Sequence, residues 1–310
     1  MPTRTMVKPN LFLVGSPKCG TTAFAEYLAS HPSVFFCSPK EPNFFCRDFA
    51  PEYRYYSDLQ SYLELFASAR GKRYAAEGSV SYLFSRTAVA EALAFNPDAR
   101  FVAFVRNPLE LVVSLHRQQV NNLEEEVQDF AAAWALQPER RQGRSIPSGC
   151  REPALLQYGL WARQGALIQR FFSIVPATQR FVILFDDLRT DPARVYDDLL
   201  HFLDLPHDGR SGFPSANTAF RRRFPVLLRA FVRPQPIVLQ RFARVARSLN
   251  RGRPLGIYRF LYELLDRYDR RPSSLSKPSQ TLYDQLRLEF LDDVALLSRL
   301  LRRDLSGWLQ

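Results

Sequence analysis

Short apolar blocks alternate with segments of helical periodicity over the first two thirds of the chain. Asn10–Val14, which contains the continuous apolar run Leu11–Val14, predicts a strand. A glycine-bearing loop follows, and Thr21–Ala29 then reads as a helix. Val34–Cys37 predicts a second short strand, Leu59–Ala67 a helix, and Tyr74–Ala76 a third strand that ends at Glu77. Arg86–Phe95 is again helical, and Phe101–Val105 is a fully apolar strand. Asn107 as N-cap and Pro108 in the first turn open a helix to about Val120. Phe181–Phe185 is the last buried-type strand, and after Leu205 the pattern reads as loop and helices. Apolar strands alternating with helices predict an α/β fold of three layers, a central parallel sheet flanked by helices, with a helical C-terminal region. One domain over 1–310 accommodates this, with an α/β core at 1–205 and a covering loop plus mainly helical region at 206–310.

The loop after the first strand changes the picture most. Residues 15–22 read G-S-P-K-C-G-T-T. Gly15 and Gly20 keep the spacing of a nucleotide phosphate loop, but Thr21 stands where such a loop carries its lysine, and Lys18 precedes the second glycine. Backbone N–H groups at a helix start still suit a phosphate, while the cation meets it from another side. The loop is P-loop-like rather than a standard P-loop.

In a parallel sheet, ligands gather at the carboxyl ends of the strands. The strand ends here carry Lys18, Thr21 and Thr22; then Lys40 and Glu41; then Glu77 with Ser79 and Ser81; then Arg106, with Ser114 on the following helix. A magnesium-dependent kinase needs an acid near such a strand end, and Arg106 stands there instead. Asp186 and Asp187 after F-V-I-L-F offer an alternative magnesium pair, or simply cap the next helix.

These motifs together resemble the sulfotransferases that use 3′-phosphoadenosine 5′-phosphosulfate (PAPS). P-K-C-G-T-T (Pro17–Thr22) is similar to the family's 5′-phosphosulfate loop. F-V-R-N-P-L-E-L-V-V-S (Phe104–Ser114) is similar to its 3′-phosphate motif, and K-E-P-N-F-F (Lys40–Phe45) to the segment bearing a glutamate base in the carbohydrate-type and bacterial branch. Weaker likenesses run on through E-G-S-V-S-Y-L (77–83), L-F-D-D-L (184–188) and the tail L-L-R-R-D-L-S-G-W-L (300–309).

The resemblance implies in-line sulfuryl transfer from PAPS, leaving the product PAP, to a hydroxyl acceptor without metal. Glu41 is then the general base, its pKa raised by partial desolvation beside Phe44 and Phe45. Lys18 meets the bridging oxygen of the leaving group. Pro17, Cys19, Gly20, Thr21 and Thr22 cradle the 5′-phosphate, and Arg106 with Ser114 holds the 3′-phosphate. Lys40 either aids the sulfuryl group or only pairs with Glu41. Of the four histidines (31, 116, 201, 207), His116 is the alternative base and His31 a helix cap. A basic covering loop falls in N-T-A-F-R-R-R (217–223), with Arg221 and Arg222 as its contacts. The acceptor class is a small molecule, glycan or lipid. A nucleotide-dependent kinase and a non-catalytic docking protein with a retained PAPS loop stand as rivals.

Composition adds two points. The 310 residues are 46% hydrophobic and carry a net charge of +11. Fourteen arginines against three acids between Arg221 and Arg271 account for the whole of that excess. That segment reads as an amphipathic cover for the sheet, a dock for an anionic membrane surface, or a dock for an acidic carrier, and not as a nucleic-acid module. The absence of a long apolar run and the immediate entry into the loop strand lead to an expectation of a cytoplasmic protein, peripheral to the membrane if the basic segment docks there. The four cysteines (19, 37, 46, 150) share no C-x-x-C spacing and point to neither zinc nor disulfides; Cys19 occupies a slot that needs a small residue. Residues 138–152, rich in charge and turn formers, read as a mobile surface loop or a lid over the substrate.

Overall fold

The computed structural model describes residues 6–214, 220–222, 270–272 and 278–310. Five parallel strands form the sheet in the order β2-β3-β1-β4-β5. They are β1 (Leu11–Gly15), β2 (Val34–Phe36), β3 (Tyr74–Gly78), β4 (Arg100–Val105) and β5 (Arg180–Leu184). All five residues of β1 are buried, as are five of the six in β4, so helices cover both faces of the sheet centre. The α/β three-layer arrangement is therefore as the hydrophobic pattern predicts.

Phe12 sits opposite Glu77 of β3 on one side and Phe101 of β4 on the other. The chain thus passes from one side of β1 to the other between β3 and β4. That reversal opens a crevice at the carboxyl end of β1, where the glycine loop leads into α1 (Thr21–Ser30). The loop after β4 leads into α4 (Pro108–Asn121), whose N-cap Asn107 accepts from the N–H of Leu109. Between them lie α2 (Leu59–Glu64) and α3 (Ala88–Phe95).

Outside the sheet, the structure differs from expectation in two ways. Strand signals do not end at Leu205, because β6 (Phe220–Arg222) pairs antiparallel with β7 (Arg270–Pro272). The paired residues lie about fifty positions apart, beyond the reach of local periodicity. β6 runs beside α4. Following α5 (Phe130–Ala135), the region expected to be a loop contains α6 (Gln137–Arg141). It is pinned rather than loose: Arg140 and Glu125, only 1% and 0% exposed, pair at 2.6 Å. Arg151 reaches Glu124 at 2.6 Å, and Glu152 accepts the Ala50 N–H at 2.7 Å.

Further helices are α7 (Tyr158–Ala162), α8 (Gln164–Ile174), α9 (Phe185–Thr190), α10 (Pro192–Phe202) and the long α11 (Gln280–Leu301). The carboxylate of Asp293 on α11 accepts the N–H groups of Gly165 and Ala166 at 2.7 and 2.9 Å, capping α8 from outside. A Cβ at Gly165 would lie 2.2 Å from the Asp293 carbonyl oxygen, so only glycine permits that approach. Most of the basic segment 221–271 lies outside the described residues. Among those described, no helix is long and apolar enough to cross a membrane.

Candidate active site

The loop after β1 is built on left-handed backbone. Gly20 is the N-cap of α1 at φ 84°, and a Cβ there would meet the side chain of Leu188 at 2.3 Å. Lys18 itself has φ 63°, and Glu41 and Asn43 have φ 66° and 53°. Non-glycine residues seldom adopt this region, and where they do the surrounding structure must hold them there. The guanidinium of Arg106 does so for Lys18, donating through Nη1 to its carbonyl oxygen at 2.8 Å. The Glu41 N–H donates to Gly78 O at 3.0 Å, and the Asn43 N–H to Ser79 Oγ at 3.1 Å, tying the second segment to the end of β3.

Loop, β3 end and α4 surround a cavity of about 760 Å³. Pro17, Lys18, Gly20, Thr21 and Thr22 line it from the loop, Lys40 and Glu41 from the segment after β2, and Arg106 and Ser114 from β4 and α4. Nine of the sequence-derived candidates are thus brought to one space. Cys19 is not on its wall: its thiol is buried, donates to Pro17 O at 3.3 Å, and is pushed up to about 12 by burial. Only its backbone is available to the loop. Arg221 and Arg222 fall in β6, next to α4, and their side chains lie outside the described residues.

The charges on the cavity wall are largely paired. Glu41 presents Oε1 to Lys40 Nζ at 2.7 Å and accepts the Val80 N–H at Oε2 at 3.0 Å. The pair is 30% and 21% exposed, and Lys40 also reaches Thr21 Oγ1 at 3.4 Å. Phe44 and Phe45 do not enclose this carboxylate in apolar surface; they turn into the core, where Phe44 stacks on Tyr62 and Phe45 meets Phe12 edge-on. Arg106 pairs with Glu110 at 2.6 Å and lies over the Phe185 ring. Lys18 has no acid partner among the described residues. Burial, with Arg106 and Arg117 nearby, pulls its ammonium below the usual lysine range.

Two alternatives from the sequence are removed. His116 is buried against Phe130 and Tyr158 and hydrogen-bonds the Val127 carbonyl at 2.8 Å, away from the cavity wall. The carboxylates of Asp186 and Asp187 are held by the C-terminal tail: Trp308 Nε1 donates to Asp186 at 2.6 Å, and Arg303 forks onto Asp187 at 2.9 and 3.0 Å. They neither cap α9 through their side chains nor face the phosphate loop's cavity. His31 does close α1, its ring bridging the Ser33 N–H and Pro206 O.

Residues 8–214 match the sulfotransferase domain. The chain belongs to the sulfotransferase family. Human bifunctional heparan sulfate N-deacetylase/N-sulfotransferase 3 is 27% identical over 205 residues, covering 64% of this sulfotransferase and 23% of that protein. Mouse heparan sulfate glucosamine 3-O-sulfotransferase 3B1 is 25% identical over 197 residues, covering 64% of this chain and 46% of that one. The chain therefore spans less than half the length of either relative. A sulfotransferase from Alicyclobacillus acidocaldarius shares the fold, with a TM-score of 0.69 and 23% identity over 98% of this chain and 100% of that one.

The domain match takes in Lys18, Glu41, Arg106 and Ser114 and stops before Arg221. Sequence reading of this sulfotransferase missed several contributors to the cavity, among them Arg117, Gln118 and Tyr283. Arg117 and Gln118 follow Ser114 by three and four residues, the spacing that places side chains on one helix face. That signal was present in the sequence. Tyr283, on α11, is brought in by long-range packing alone.

Proposed function

We propose that this sulfotransferase moves the sulfuryl group of PAPS to an acceptor hydroxyl, with Glu41 as base. The observation that carries the reading is the meeting of Lys18 and Arg106 with the Lys40–Glu41 pair on the wall of one cavity. The residues fit the donor's chemistry. Lys18 is a cation without an acid partner among the described residues, Thr21, Thr22 and Ser114 offer hydroxyls, and Gly20 opens a helix N-terminus. PAPS, when bound, supplies the sulfuryl group and leaves as PAP.

Each residue then has one task. The loop and the start of α1 hold the 5′-phosphate, and Arg106 with Ser114 holds the 3′-phosphate. Lys18, partly desolvated, offers a concentrated positive charge to the oxygen on which charge grows as the sulfuryl group departs. Glu41 takes the acceptor's proton. Its Val80 N–H contact fixes the carboxylate's direction, while Lys40 bridges it to Thr21 and thus to the phosphate side. In-line transfer needs base and leaving-group cation on opposite sides of the reacting group.

The acceptor is a glycan, lipid or other small molecule bearing a hydroxyl. The relatives are named as N- and O-sulfotransferases, so amines belong in the same screen. A dock for acidic carriers or anionic membrane through 221–271, and a cytoplasmic location, belong to this reading as well. The decisive experiment is ³⁵S-PAPS incubated with the protein and extracts of its source organism. Label transferred without Mg²⁺ supports the reading. Mg²⁺-dependent ATP turnover would instead support a kinase, and PAP binding without transfer to any acceptor would support a docking protein.

A further inference from the structure

Among the described residues, five cations line the cavity, and they are not equivalent. Lys40 is paired with Glu41, Arg106 with Glu110, and Arg189 with Asp186 at 3.5 Å. Lys18 and Arg117 have no acid partner among the described residues. Arg117 is more than a solvated surface arginine: its Nε is buried without a hydrogen-bond partner, and burial and the neighbouring Arg106 both disfavour its charge. A guanidinium cannot escape by losing its proton, so an uncompensated one in a concave site calls for an anion.

The donor's anionic groups are already matched. Its phosphosulfate falls to Lys18 and the loop, and its 3′-phosphate to Arg106 and Ser114. Arg117 stands three residues beyond Ser114 on the same face of α4, about 4.5 Å further along the helix axis. Gln118 and Asn122 continue that polar stripe along the cavity wall. The stripe therefore extends past the groups that hold the donor.

We propose that Arg117 reads a negative charge on the acceptor, so that the preferred acceptors carry a carboxylate, sulfate or phosphate beside the hydroxyl that is modified. The inference rests on the PAPS reading above. A planar fork facing a carboxylate or sulfate gives orientation as well as attraction, whereas a neutral acceptor would leave the partly buried cation unanswered.

The test uses two sugars that differ only at C6, 4-nitrophenyl β-D-glucuronide with a carboxylate and 4-nitrophenyl β-D-glucoside with a hydroxymethyl group, titrated calorimetrically into the full chain saturated with PAP. A charge-assisted contact predicts that the wild type prefers the glucuronide by about tenfold or more. Arg117→Gln should abolish the preference while PAP affinity stays intact, which also reports that the variant is folded. Arg117→Lys should retain part of it. Equal or unmeasurable affinity for the two sugars in the wild type overturns the proposal, as does a preference that survives Arg117→Gln. So does a matching loss of PAP affinity in Arg117→Gln, which would put the residue on the donor. Failure of the wild type to bind PAP would sink the donor assignment by itself; the same titrations without PAP would still decide Arg117.

Discussion

The Lys40 ammonium lies 2.7 Å from Oε1 of Glu41 and also reaches Thr21 on the first turn of α1. The proposed base is therefore coupled to the phosphate side of the site before any ligand arrives. Glu41→Gln preserves the size and the Val80 contact but removes the proton acceptor. We expect PAP affinity within about twofold of wild type and kcat down by about 10² to 10⁴. Steady-state assays with ³⁵S-PAPS, with PAP as a competing inhibitor, measure both, and an unchanged kcat would remove Glu41 from the mechanism.

Lys18→Ala should separate catalysis from binding. If the ammonium stabilises charge that develops only during transfer, kcat falls by more than the dissociation constant of PAP rises. Proportionate losses in the two would reduce Lys18 to a binding residue.

Arg106→Gln should erase recognition of the 3′-phosphate. The wild type is expected to bind PAP far more tightly than adenosine 5′-monophosphate. The variant should lose about 10- to 100-fold for PAP and little for the monophosphate. Because Arg106 also holds the Lys18 carbonyl, part of any loss of kcat would come from a loosened loop. Comparable losses for both nucleotides would assign Arg106 to that structural role.

Glu77 gives a pH dependence of stability. It is fully buried on β3, its Oε1 has no hydrogen-bond partner, and burial raises its pKa from 4.5 to about 8. Between those values the folded state keeps a proton that the unfolded chain has released. Stability contributed by this group therefore falls as pH rises from about 4.5 to 8, by up to about 1.4 kcal/mol per pH unit. Glu77→Gln should raise the melting temperature at pH 8 and flatten its decline across that window. Thermal melts from pH 5 to 9 that run parallel for the two proteins would refute the assignment.

The parts of the fold legible in the sequence are those with local causes. β1 and β4 are uninterrupted apolar runs because both their faces are covered. The start of α4 was readable because Asn107 caps it and Pro108 suits its first turn. The start of α3 was placed two residues early: Ser85 Oγ accepts the N–H groups of Thr87 and Ala88, so the helix opens only at Ala88. What escaped depended on distant partners. Nothing near Arg140 announces that Glu125 will bury it, nor anything near Phe220 that Pro272 will pair with it. The same holds for the site. Lys18, Glu41 and Arg106 stand at strand ends, where topology puts ligands, whereas the fate of Asp186 was settled by Trp308, more than a hundred residues away.

The two cavity cations with no acid partner among the described residues have a practical consequence at the bench. Lys18 and Arg117 make the cavity a collector of small dianions from its medium. Sulfate or phosphate carried through purification would compete with the nucleotide, weaken its apparent affinity and raise the melting temperature of the nominally ligand-free protein. Titrations in a zwitterionic buffer with chloride as the sole inorganic anion would report the protein's own affinities. A phosphate-buffered series run beside them would measure how strongly the pocket holds what the buffer offers.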